Sequence, residues 1–148
     1  MNLIYLHRMA HKLFVYKVPV IPKIIYYFQF FLFNSSVPAS CKIGRRTKFA
    51  YGGMGVVLHA RTVIGENCIV GQGVTIGGKS KQYNVPKIGN FVYIAAGARI
   101  IGAVTIGNNV IVGANAVLDK DVPDNCVVAG IPAKIIKRDI NIADYMDL

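Results

Sequence analysis

The sequence predicts an all-β solenoid preceded by a short helical segment, and three observations carry that reading. An aliphatic residue returns through one stretch at Ile64, Val70, Ile76, Ile88, Ile94, Ile100, Ile106, Val112 and Leu118. A small residue usually follows it, as at Gly65, Gly71, Gly77, Gly89, Ala95, Gly107 and Gly113. Four places after the aliphatic comes a further small or apolar residue, such as Cys68, Val74, Val92, Ala98, Val104 or Val110. A period of six fits neither a helix nor an indefinitely alternating strand. It fits a strand of about four residues and a corner of about two, repeated.

Residues 1–36 differ from this pattern. Between Asn2 and Lys17, His7, Arg8, His11 and Lys12 cluster at helical spacing, with Leu3, Leu6, Met9, Ala10, Leu13 and Phe14 on the other side. That predicts a basic amphipathic helix, which Pro19 and Pro22 terminate. The apolar run Ile24 to Phe33 is shorter than the roughly 20 residues that span a bilayer. No small-residue cleavage site of a signal peptide follows it. Two roles stay open for this segment. It caps the open end of the solenoid or packs on a neighbouring subunit; alternatively, residues 1–33 lie on the cytoplasmic face of the inner membrane. Arg8, Lys12, Lys17 and Lys23, with no acid among them, keep the second role in view.

Hexads begin at Val37, slip by three residues at Gly55, Val56 and Val57, and resume at Leu58. The polar segment Ser80 to Lys87, SKQYNVPK, takes the place of one hexad, and the register returns at Ile88. It is read as a loop thrown from the scaffold, where binding groups usually sit. The solenoid domain is therefore expected over 37–137, with a tail over 138–148 that carries Asp139, Asp144 and Asp147.

Seventeen Lys and Arg against seven acids give a net charge of +10, which suits an anionic partner. Nucleic acid is not expected, since the cations form no aromatic-interleaved patch and no DNA-binding motif. Cys41, Cys68 and Cys126 form no CxxC pair; they are expected as reduced apolar fillers, in keeping with a cytoplasmic protein. No metal site is expected, because the solenoid holds only one histidine, His59.

The IGxxxx repeats, VTIGGKS, the following PKIG and the ending DVPDNCVVAGIPAKII resemble the hexapeptide-repeat acyltransferases, most of all the serine acetyltransferases. The resemblance covers about residues 37 to 137. It implies a left-handed parallel β-helix of three hexads per coil, a homotrimer with sites between subunits, and acetyl-CoA as acetyl donor. Counted in eighteens, Ala60, Gly78, Ala96 and Ala114 would form one column, with His59, Gly77, Ala95 and Gly113 beside it. In the family, positions matching Ala96 and Ala114 line the pantetheine arm. Those matching Lys120 and Lys137 meet the nucleotide phosphates, with Lys134 nearby, and amides near Gly77 and Gly78 are the expected oxyanion donors.

Acetyl transfer to a hydroxyl needs a proton acceptor. His59 is the candidate: it takes a corner position otherwise held by Gly or Ala, while His7 and His11 belong to the basic helix face. The sequence departs from the serine acetyltransferases at two places. Their Asp-His pair before GVV is matched by Tyr51 and Gly52, and their Arg-His pair before PKI by Asn84 and Val85. The expected activity is therefore acetyl-CoA-dependent O-acetylation of a small-molecule or glycan acceptor, read first as a sugar hydroxyl in surface polysaccharide biosynthesis. Serine O-acetylation for cysteine synthesis is the alternative, and a non-catalytic hexapeptide binding or structural protein the second.

Overall fold

The computed structural model describes residues 2–146, so Asp147 of the expected tail lies outside the described residues. Helix α1 (Leu3–Val15) is capped by Asn2, whose side-chain oxygen accepts the Ile4 amide at 3.1 Å, the usual satisfaction of an orphan first-turn donor. The Asn2 amide group also donates to the Phe49 carbonyl at 2.9 Å, tying the helix to the first coil. Helix α2 (Ile21–Phe33) starts with Pro22 in its first turn and ends on Asn34 in the left-handed conformation.

The solenoid is built from very short strands. The first coil holds β1 (Lys42–Ile43), β2 (Lys48–Phe49) and β3 (Val57–Leu58), and the second β4 (Val63–Ile64), β5 (Ile69–Val70) and β6 (Thr75–Gly77). Then come β7 (Lys87–Ile88), β8 (Tyr93–Ile94) and β9 (Arg99–Ile101), followed by β10 (Thr105–Ile106), β11 (Ile111–Val112) and β12 (Val117–Leu118). A hairpin, β13 (Val127–Gly130) and β14 (Ala133–Lys137), closes the stack as its only antiparallel pair among the described residues. Three parallel sheets run the length of the prism, β1-β4-β7-β10, β3-β6-β9-β12 and β2-β5-β8-β11-β13. This is the expected left-handed parallel β-helix with an N-terminal helical segment.

Each strand from β3 to β13 sends an aliphatic residue inward, and Ile64, Ile76, Ile94, Ile100 and Ile106 are fully buried in one stacked core. Each contributes roughly 1.5–3 kcal/mol as an upper figure. Cys41, Cys68 and Cys126 are buried free thiols, as expected of fillers, and burial pushes Cys41 up to about 12. The corner after the first sheet has a strict steric rule. A Cβ on Gly44 would lie 2.6 Å from the Glu66 amide nitrogen, one on Gly65 2.6 Å from the Gly89 carbonyl carbon, and one on Gly89 2.6 Å from the Gly107 oxygen. Glycine recurs in this column because the coils stack at backbone distance.

Two expectations are corrected here. The segment Ser80 to Lys87 does not replace a hexad; it adds six residues to a coil. Leu58 pairs with Ile76, eighteen residues on, but Ile76 pairs with Ile100, twenty-four on. Ile64 and Val70 likewise pair with Ile88 and Ile94. The second correction concerns α1. His7 is buried with Leu3, Ile4 and Ala10, while Met9 and Phe14 are exposed. The face that meets the solenoid thus runs through a histidine, and His7 is not part of a basic surface.

His7 Nδ1 has no hydrogen-bond partner, and its ring stacks on that of His11 at 5.8 Å. Burial first, then the neighbouring His11, lowers its pKa from 6.5 to about 4. The folded chain therefore holds His7 neutral, and protons favour the unfolded chain. Its stabilising effect is complete above pH 6.5 and is lost as pH falls towards 4, by about 1.4 kcal/mol per unit. Thermal melts across that window should drop steeply for the native chain and less steeply for His7→Leu; parallel slopes would refute this assignment.

Candidate functional site

His59 follows β3 directly. Its amide donates to the Ile76 carbonyl at 2.8 Å, and its carbonyl accepts the Thr62 amide at 2.9 Å and the Cys41 thiol at 3.2 Å. The backbone is thus fixed on three sides, while the ring is half-buried. Nδ1 accepts the Arg61 amide at 3.2 Å, so the neutral ring in this arrangement carries its proton on Nε2. A Cβ on Gly78 would meet His59 Cδ2 and Val85 Cγ1 at 3.5 Å and Nε2 at 3.8 Å. The imidazole edge therefore faces the Gly77–Gly78 corner at ordinary contact distance.

The loop from Ser80 to Lys87 forms the wall beside this corner. Arg61 lies 4.2 Å above the Tyr83 ring and donates to the Tyr83 carbonyl. Gln82 accepts the Ala103 amide at 3.3 Å, and Val85 turns inward and is buried. A polar excursion is thereby pinned at its tip, its base and its return. Sequence reading missed Arg61 and Tyr83; the signal was an aromatic residue inside an otherwise polar loop.

The twenty-four-residue coil separates residues expected in one column. His59 stacks with Gly77, Ile101 and Asp119, since β3, β6, β9 and β12 share a sheet. Ala95 and Gly113 stack instead with Gly71, and Ala96 and Ala114 with Gln72, on the corner after β5, β8 and β11. Ala60 and Gly78 belong to the His59 corner. Within one chain, then, His59 is not beside Ala96 and Ala114. The corner of His59 also lacks the glycine rule: a Cβ on Gly77 would meet only side-chain atoms, Ile101 Cδ1 at 3.5 Å and Thr75 Cγ2 at 4.0 Å. A side chain at position 59 is sterically ordinary, so the place of His59 among small residues does not by itself mark a functional role. No carboxylate hydrogen-bonds the His59 ring among the described residues.

At the far end, Lys120 and Lys134 converge on a groove of about 340 Å³ together with Arg138. Asp121 also borders it, but its Oδ1 accepts the Thr105 amide at 2.7 Å. Lys137 is not in this group. Its Nζ donates instead to the Tyr145 hydroxyl at 2.9 Å. That bond holds its pKa above the usual lysine value. Arg138, which sequence reading missed, follows β14 directly and lines the same groove. This groove fits a polyanionic group such as a nucleotide phosphate.

The positions matching the family's Asp-His pair lie in a tight turn after β2. Tyr51 is 78% exposed with φ +49°, and Gly52 has φ +74°. Asn84 is exposed and Val85 is buried in the loop wall. Neither pair of side chains offers a base or a carboxylate clamp.

Comparison with known proteins agrees with this architecture. The bacterial transferase hexapeptide (six repeats) family matches residues 86–120. The chain is 37% identical to a serine acetyltransferase of Synechococcus elongatus over 143 residues, which is 95% of this chain and 58% of that protein. It is 41% identical to the serine acetyltransferase of Staphylococcus xylosus over 90% of this chain and 62% of the relative. Among solved structures it resembles the serine acetyltransferase of Neisseria gonorrhoeae, with TM-score 0.87, 30% identity, and 94% and 55% of the two chains covered. It also resembles the Brucella abortus enzyme in complex with coenzyme A, with TM-score 0.86, 31% identity, and 91% and 54% covered. The chain thus spans 58% to 62% of the length of the two curated relatives named. Repeat, coil geometry and these likenesses converge: residues 86–120 carry the bacterial transferase hexapeptide repeat, and the chain is similar to serine acetyltransferases over at least 90% of its length.

Proposed function

We propose that the chain is an acetyl-CoA-dependent O-acetyltransferase of the serine acetyltransferase type, with L-serine as the first acceptor to test. The observation that carries this reading is the 37% to 41% identity to serine acetyltransferases over at least 90% of the chain. The cationic groove of Lys120, Lys134 and Arg138 takes the phosphates of the donor, and the small residues Ala96 and Ala114 flank its thin arm. His59 and the Gly77–Gly78 amides lie on a different corner from Ala96 and Ala114, so a donor whose arm runs along those alanines meets His59 only between two copies. A homotrimer supplies that seam.

In this scheme the acceptor hydroxyl attacks the thioester carbonyl carbon and passes its proton to His59 Nε2. The carbonyl oxygen becomes an oxyanion facing backbone amides near Gly77 and Gly78. The C–S bond then breaks, and the leaving thiolate takes the proton from His59. Nε2 accepts a proton only if the neutral ring carries its own on Nδ1, which gives up the Arg61 contact. That bond is long at 3.2 Å, and its loss costs about 1 kcal/mol. A positioned base contributes roughly 10²- to 10⁴-fold, so the exchange favours catalysis.

A sugar hydroxyl as acceptor is the second reading, and Tyr51, Gly52, Asn84 and Val85 favour it, because the matched serine-binding and base residues are replaced. Thiol release from acetyl-CoA decides between the two. Release that depends on millimolar-range L-serine supports the first; transfer only to a nucleotide sugar or glycan supports the second. Absence of acetyl-CoA binding by calorimetry would contradict both and leave a binding or structural role.

A further inference from the structure

Helix α2 has two apolar faces, and only one is used. Pro22, Ile25, Gln29 and Phe33 are buried against α1 and the first coil. On the opposite arc Ile24 is 60% exposed, Tyr27 58%, Phe28 51% and Phe31 85%. A helix apolar all round needs a second apolar medium. Among the described residues no helix is long and apolar enough to cross a membrane, so that medium would be met from the side.

Charge selects the occupant. Arg8, Lys12, Lys17 and Lys23 are all exposed on the helical segment, and the first acid of the chain is Glu66. Lys17 and Lys23 flank the turn between the helices, and Lys23 precedes Ile24 of the exposed arc. Pairing this surface with its equal in a second copy would set cations against cations. An anionic lipid surface offers both complements: headgroups for the cations and acyl chains for the rings, with Tyr27 suited to the boundary between them.

We infer that α2 lies flat in the interface of an anionic phospholipid membrane through Ile24, Tyr27, Phe28 and Phe31, with Lys17 and Lys23 at the headgroups. The inference rests on this surface alone and not on the identity of the acetyl acceptor. The solenoid then stands on the bilayer by its N-terminal end.

Flotation of the full chain with vesicles tests it. Binding is expected to mixed phosphatidylcholine–phosphatidylglycerol vesicles, at least about tenfold tighter than to phosphatidylcholine alone, and weakened by salt. Phe28→Ser/Phe31→Ser should weaken it roughly hundredfold, and Lys17→Glu/Lys23→Glu should remove the preference for anionic lipid. Both pairs are exposed, so unchanged thermal melts establish that the variants fold. Failure of the native chain to float, or binding indifferent to the phenylalanine pair, overturns the proposal. So does a concentration-dependent rise in mass that the phenylalanine pair abolishes without any vesicle binding, since that assigns the face to a second copy.

Discussion

Gly65→Ala should destabilise the chain by about 3 kcal/mol, the range of backbone overpacking in a rigid core. The added methyl would lie 2.6 Å from the Gly89 carbonyl carbon, and that atom is backbone, with no rotamer by which to withdraw. Relief requires the second and third coils to separate. Separation lengthens the bonds that join them, the Gly65 amide to the Ile88 carbonyl at 3.0 Å and the Glu66 amide to Asn90 Oδ1 at 2.8 Å. For a chain of 148 residues the expected fall in Tm is roughly 6–12 °C. Gly77→Ala is the control: its methyl meets side-chain atoms at 3.5 and 4.0 Å and should change stability by less than about 0.5 kcal/mol. Equal losses at the two glycines, measured by thermal or urea denaturation, would show that coil stacking is not what makes the glycine column necessary.

His59→Ala should lower kcat by roughly 10²- to 10⁴-fold with little change in KM for acetyl-CoA. The reasoning is geometric: the imidazole edge faces the Gly77–Gly78 corner, whereas the groove assigned to the donor phosphates is at the other end of the coil stack. Removing the ring should therefore leave donor binding intact. His59→Gln, which can donate a hydrogen bond but cannot hold a proton at neutral pH, should be as slow as the alanine variant. Full turnover by either variant assigns the base elsewhere. A rise in KM with kcat unchanged would make His59 a binding residue.

The sequence made the solenoid legible because its period of six is set by the coil itself. Each inward aliphatic and each corner glycine answers to a stacking contact that recurs with every turn. What lay outside that period was harder to read. A polar segment such as Ser80 to Lys87 can stand in for a hexad or add six residues to a coil, and the register after it is the same modulo six. Only pairing distinguishes the two, and pairing moved Ala96 and Ala114 to a different corner from His59. His7 was misread for a related reason. A helical wheel separates two faces but does not say which of them the solenoid covers; contact with the first coil buried His7 and left Met9 and Phe14 exposed. Arg138 was hidden because its grouping with Lys134 and Lys120 depends on the hairpin of β13 and β14 folding back over the last coil.

The consequence of the corrected register is that no single copy brings His59 together with Ala96 and Ala114. A donor that touches all of them needs two chains, so the proposed site is complete only at the seam between copies. Mixing two inactive variants tests it most directly. His59→Ala removes the proposed base, and Ala114→Trp blocks the proposed path of the donor's thin arm at an exposed corner position. Unfolded together and refolded as mixed trimers, the two should regain roughly a quarter of the native sites, because each seam draws one half from each of two neighbours. Mixed trimers that form and remain inactive would contradict a site shared between copies.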